Sequence, residues 1–431
     1  MSKKRSLFVL SVFAASLLLV TPASLQAGDN SMVPPVLRMP DTEALITLLD
    51  HNAQLKELLV KSIESAKTAN PDKETNPAQS LEEYYNFIDW ASTAMPFNIL
   101  PSAEKSPLLY ERIDQSLDYF YFLIDQPLKP LTGKGYYHNS IQYEEPFRTW
   151  MIAFTKHWGD YLNTPASWND EFYKAALADE RFGLSKGWYE DPSNWHTFNQ
   201  FFARHLISPD VRPIAEPINK AVVVAPADSK PQGVWQIDEK SNIVRNGVWL
   251  KSSKFNSVAQ IIGPDSIYAN AFANGILTHT FLDVNDYHRY HFPVDGTVVE
   301  MRTILADDAV GGVQVWDPEQ KKYVLHDSAP GWQAIETRAC VIVNAGKYGL
   351  VAVLPIGMSQ VSSVNFEEGL EKGDTVKKGD PLGYFLFGGS DIVMIFQAEA
   401  GFQLDIKPDE TGAYPHLYMG EDYGTMQGSR Q

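Results

Sequence analysis

The chain has 431 residues, 44% of them apolar and 12% aromatic, which is ample for a sizeable core and for two structural units. Its formal charge of −17 argues against a nucleic-acid partner and gives no help in binding anionic lipid. One cysteine, Cys340, rules out an internal disulfide.

Lys3, Lys4 and Arg5 precede the apolar-dominated run Leu7–Val20, and small residues follow to Ala23 or Ala27. This is the layout of a secretory signal over residues 1–27, with an apolar run too short to span a bilayer comfortably. No cysteine stands directly after that run, so a lipoprotein anchor is not expected. The mature chain is expected to be periplasmic or secreted.

In DTEALITLLDHNAQLKELLVKSIESAK, Leu45, Leu48, Leu49, Leu55, Leu58, Leu59 and Ile63 keep the spacing of an amphipathic helix, with Asp41 placed as its N-cap. Segments 81–95, 106–125 and 142–162 repeat the pattern, and the polar stretch 68–80 reads as a flexible loop. The Trp- and Tyr-rich stretches 84–90, 136–158 and 188–202 read as core and interface. Near Pro213 the character changes. AVVVA, VLHD, ACVIVNA, GLVAVLPI, YFLF and DIVMIF are β-rich runs separated by Gly, Pro, Asn and Asp. The expected fold class is α+β, with a helical N-terminal domain over 28–190 and a mostly antiparallel β domain over 191–431. LEKGDTVKKGDPLGYF looks like the hairpin of a lipoyl-type barrel element, but nothing in it matches a carrier-lysine context, so its role reads as structural.

Three places could carry chemistry. In DVNDYHRYHFPVDG, His288 and His291 could share a pocket or be two ordinary hydrogen-bonded histidines. A metal site with His279 lacks a convincing third ligand, so no metal is expected. In APADSK, Asp228 reads as a turn carboxylate, or as the acid that orients an imidazole. In YFLFGGSDIVMIF, Gly388, Gly389, Ser390 and Asp391 interrupt a strand with residues poorly suited to it. The plain reading is a bulge. The alternative is self-cleavage, in which the Ser390 hydroxyl attacks the Gly389 carbonyl and converts amide to ester. Elimination from that ester leaves dehydroalanine, which hydrolyses to a pyruvoyl group and ammonia.

FNQFFARHLISPDVRPIA (198–215), APADSK (225–230), DYHRYHFPVDG (286–296) and KKGDPLGYFLFGGSDIVMIF (377–396) occur in the order of four motifs of the phosphatidylserine decarboxylase family, which the second half of the chain resembles. The resemblance implies cleavage at Gly389–Ser390 and a pyruvoyl cofactor made from Ser390, which serves as an electron sink for loss of CO2. It implies that His291, oriented by Asp228, is the base for cleavage and that His288 serves the decarboxylation. It also implies an amine substrate, either a phospholipid head group with peripheral membrane contact or a free amino acid.

Three features depart from the pattern. Asp391 stands where a small hydroxyl residue is usual and could repel the forming ester or act as a local acid–base group. Ser229 replaces a glycine, and the helical segment is absent from the short bacterial lipid enzymes. That segment could be a substrate lid, a homodimer surface or a rest on the membrane. Competing readings are a decarboxylase of a soluble aromatic amino acid, a metallopeptidase, and a non-catalytic periplasmic binding protein. GGSDIVMIFQ lacks the His-x-His pair the metallopeptidase needs.

Overall fold

The computed structural model describes residues 37–96, 109–132, 139–245, 248–249, 257–306, 313–326, 332–357, 363–388 and 390–428. The expected signal and Gly389 lie outside the described residues. From Arg38 onward the chain forms one compact unit.

The helix expected from Asp41 is two helices, Pro40–Asp50 and Ala53–Ala69. Pro40 opens the first, where its missing N–H is no loss, so Met39 rather than Asp41 is the N-cap. Asp41 instead accepts a 2.7 Å bond from Nδ1 of His157. Asn52 breaks the run because its side chain caps the second helix, accepting from the Leu55 N–H. The leucine stripe packs against the helices Leu81–Ala91, Leu109–Ile124 and Phe147–Leu162. The stretch 68–80 has no helix beyond Ala69 but is tied down rather than loose. Buried Asn70 donates to the Tyr323 hydroxyl at 2.9 Å, and Asn76 donates to the Asn70 carbonyl at 2.8 Å.

Nine strands form an antiparallel sheet. Their order is Thr375–Val376, Gly296–Ile304, Arg338–Asn344, Leu350–Ile356, Asp391–Phe396, Ile276–Phe281, Lys230–Ile237, Ile243–Arg245 and Val248–Trp249. Two three-stranded sheets flank it. One holds Val222–Val224, Asp422–Met426 and Phe402–Leu404, the other Ser363–Phe366, Pro381–Leu386 and Arg289–His291. Helical and β halves interlock, since Trp158, Phe172 and Phe198 share one core with Val341, Ile392 and Met394.

The lipoyl-type hairpin does not form. Thr375–Val376 pairs with Gly296–Ile304, whereas Pro381–Leu386 lies between two strands of another sheet. The KKGD turn therefore carries the chain between sheets, and no sheet closes into a barrel among the described residues. Lys378 in this turn donates its ammonium to the carbonyls of Asn219 (2.8 Å) and Val222 (3.0 Å), which ties the turn to a third segment.

The strand Asp391–Phe396 is buried along its whole length, between Leu350–Ile356 and Ile276–Phe281. Ile392, Met394 and Phe396 face the core shared with the helices, and Val393 and Ile395 face the core under the short helix Val258–Ile262. Burial on both faces explains its unbroken apolar run.

Candidate active site

Ser390 stands at the head of this central strand. Gly388, at φ 99°, takes a backbone conformation closed to most side chains and turns the chain into it. The Ser390 carbonyl accepts from the Leu282 N–H at 2.7 Å, which extends the ladder one pair beyond Asp391 and Phe281. Ser390 is half-buried.

The helix Phe198–Phe202, capped by Thr197, braces the other side of the Gly-Gly pair. Asn199 accepts from the Phe387 N–H at 3.1 Å, and the Phe387 ring meets Trp158, Phe198 and Phe202 edge-on at centroid distances of 5.8, 5.2 and 5.5 Å. Phe202 also stacks on His288, 3.7 Å between ring centres. One short helix thus holds both the chain ahead of Ser390 and one candidate histidine.

His288 is fully buried, and neither ring nitrogen makes a hydrogen bond within normal limits. Burial, reinforced by the nearby Arg204 guanidinium, holds its pKa well below the usual histidine range. Arg204 is itself buried and donates to the carbonyls of Asn285 and Asp286, at 2.7 and 2.9 Å.

His291 closes the strand Arg289–His291. Its Nδ1 lies 2.9 Å from the Gly379 carbonyl, which can only accept, so Nδ1 carries the hydrogen. Nε2 is then the lone-pair nitrogen, 3.3 Å from the Tyr287 hydroxyl. Burial pushes the pKa down to about 4, so the ring is neutral at pH 7 and able to take a proton. Its main-chain N–H bonds Pro226 at 2.7 Å and ties it to the segment that carries Asp228.

Asp228 does not orient His291 through a hydrogen bond. Its carboxylate takes the Arg212 guanidinium in a fork, at 2.9 Å from Nε and 2.6 Å from Nη2, and also accepts from the Met419 N–H at 2.8 Å. Arg212 lies between the rings of Trp188 and Tyr418, at 4.5 and 4.6 Å. Orientation of His291 falls to Gly379, while the charge of Asp228 still favours the protonated ring. Ser229, the departure beside it, accepts from the Thr280 hydroxyl at 2.8 Å.

His279 turns away from both histidines and pairs through Nε2 with Asp391, the residue after Ser390. Among the described residues no group of three His, Cys, Asp or Glu side chains is placed to hold a metal. Sequence reasoning assigned no roles to Arg204, Arg212, Gly379 and the His279–Asp391 pair. Arg204 and Arg212 sit in the quoted motif, but a sequence does not say which carbonyl or carboxylate a buried arginine will find.

The site is therefore a serine behind two glycines at the head of a central strand, linked to the buried, neutral His288 through Phe387 and Phe202, with a second buried, neutral histidine, His291, on the strand Arg289–His291. The phosphatidylserine decarboxylase family model matches residues 198–425, and the chain belongs to that family. It is 31% identical over 243 residues to phosphatidylserine decarboxylase proenzyme 2 of Oryza sativa subsp. japonica, covering 56% of this chain and 36% of that one. It is 28% identical over 284 residues to the phosphatidylserine decarboxylase proenzyme of Fusobacterium nucleatum, covering 63% and 83%. The decarboxylase iboD of Amanita muscaria is 28% identical over 280 residues, covering 59% and 78%. The chain spans about a third of the rice relative and most of the other two.

Proposed function

We propose that this chain is a proenzyme that cuts itself between Gly389 and Ser390, makes a pyruvoyl group from Ser390 and decarboxylates phosphatidylserine to phosphatidylethanolamine. The observation that carries the reading is His291, a neutral buried imidazole whose tautomer is fixed by Gly379. In the first step the Ser390 hydroxyl gives its proton to Nε2 and takes the place of Tyr287 there. The Ser390 oxygen bonds to the Gly389 carbonyl carbon, the C–N bond breaks, and the freed amine takes the proton. The ester then loses the Ser390 α-proton, Gly389 departs as a carboxylate, and the remaining enamine tautomerises and hydrolyses with release of ammonia.

The surroundings fit the product. The carbonyl side of residue 390 is anchored on Leu282, and the glycine side is free of side chains. His288, whose two ring nitrogens make no hydrogen bond within normal limits, stacks on Phe202. The pyruvoyl group supplies an electron sink for loss of CO2 from an amine substrate. His288, held neutral and fixed by the Phe202 stack, is suited to meet the substrate carboxylate or to return a proton where CO2 leaves.

The named relatives support a phospholipid head group as substrate. No helix among the described residues is long and apolar enough to cross a membrane, so peripheral contact is the form of membrane access proposed. The basic-then-apolar stretch Lys3–Val20 supports a periplasmic or secreted mature chain. The test supplies mature protein with phosphatidylserine vesicles and, separately, with a panel of free amino acids. Phosphatidylethanolamine from wild type and none from Ser390→Ala is the expected result. Amines from the panel alone would overturn the lipid assignment.

A further inference from the structure

Asp391 is 1% exposed and His279 6% exposed, and they pair across neighbouring strands directly beside the proposed cleavage point. In the ladder Asp391 lies opposite Phe281 and Val393 opposite His279, so the pair shares the sheet face of Val393 and Ile395. The other neighbour of Asp391 is Ile356, and His279 is flanked on its far side by Gly233. A carboxylate in such an apolar layer carries a desolvation cost that an apolar pair would avoid, so stability alone does not account for it.

Ser390 has the opposite parity. Its ladder partner Leu282 belongs to the other core, together with Tyr287, Tyr290 and Phe387. Self-cleavage needs two bases at different moments. The first takes the hydroxyl proton and is, on the self-cleavage reading, His291. The second takes the α-proton of Ser390 while the Cβ–O bond breaks, and elimination favours those two bonds pointing in opposite directions. A base on the far face of the sheet satisfies that demand, whereas one on the leaving-oxygen side does not.

We infer that the Asp391–His279 pair performs the elimination step of maturation, an inference that rests on the self-cleavage reading above. The Asp391 carboxylate takes the Ser390 α-proton, the Cα–H electrons form the Cα=Cβ bond, and the Cβ–O electrons leave with the Gly389 carboxylate. His279, opposite Val393, is the positioning residue that fixes the carboxylate on this face of the sheet, next in the chain to Ser390. The assignment gives a function to the one residue at this junction that departs from the family pattern.

The test follows maturation of wild type, Asp391→Asn and His279→Gln by intact mass under denaturing conditions, with and without neutral hydroxylamine, and checks folding by circular dichroism. Hydroxylamine cuts an ester but spares an amide. Asp391→Asn should mature about a hundredfold more slowly. It should accumulate full-length chain that hydroxylamine splits into a large chain ending at Gly389 and a small chain beginning with a sequenceable Ser390. Should that variant not fold, His279→Gln is read instead, with slowed maturation and the same labile ester expected. Maturation at the wild-type rate, or a folded uncut chain resistant to hydroxylamine, overturns the inference. An uncut wild type overturns the self-cleavage reading and this inference together.

Discussion

The Nδ1–H of His291 points at the Gly379 carbonyl, and that bond leaves only Nε2 to accept a proton. With its pKa pushed to about 4 by burial, the ring is unprotonated throughout the neutral range. Cleavage of freshly translated chain should keep one rate from pH 8 down to about 5 and slow as pH approaches about 4. The same group makes stability depend on pH. Its unfolded value is 6.5 and its folded value about 4, so the unfolded chain binds the extra proton between them. Its contribution is complete above 6.5 and is lost as pH falls through about 4, a change of roughly 3 kcal/mol. Urea denaturation of wild type and His291→Gln at pH 7.5 and 4.5 isolates it, and the variant should show the smaller difference. Arg212 and Asp228 behave differently, because each is the other's partner away from water. Arg212→Ala should cost about 3–5 kcal/mol in the same measurement by stranding a buried carboxylate. A loss under 1 kcal/mol would mean that the carboxylate finds another partner.

The five-residue helix Phe198–Phe202 controls more of the site than its length suggests. Phe202→Ala should cost roughly 3–5 kcal/mol as a buried aromatic truncation. It should lower the rate of CO2 release more than the extent of self-cleavage, since the ring stacks on His288 at 3.7 Å but meets the chain ahead of Ser390 only edge-on, at Phe387, 5.5 Å between ring centres. Equal losses in both would contradict the division of labour between the histidines. This is also the scale at which the sequence was most and least readable. The strands Arg338–Asn344, Leu350–Ile356 and Asp391–Phe396 stood out because burial on both faces writes an unbroken apolar run. The leucine stripe marked the helical layer for a similar reason. The break at Asn52 was hidden because leucine spacing continues through it, and only the capping bond reveals it. The KKGD turn misled because a Gly-Asp turn specifies a reversal and not which strand comes next. Ser390, His288 and His291 were singled out by their neighbours in sequence, whereas Gly379 as the carbonyl that bonds His291 was not, because a main-chain acceptor leaves no trace in residue type.

The whole molecule from Arg38 onward is one compact unit, and its architecture determines what a cut would do. Residues 390–431 contribute the central strand Asp391–Phe396 and two strands of a flanking sheet, Phe402–Leu404 and Asp422–Met426. Each of the first and last is paired on both sides, so severing one peptide bond at Gly389 leaves every ladder in place. The two chains should co-elute on native gel filtration and separate only under denaturing conditions. The most direct test of the central claim is the intact mass of purified mature protein in denaturant, beside a Ser390→Ala control. Two chains are expected in the wild type, the smaller comprising residues 390–431 with a blocked N-terminus, and one chain in the control. A single uncut chain in both would contradict it and leave Ser390 as a residue in a strand-end bulge.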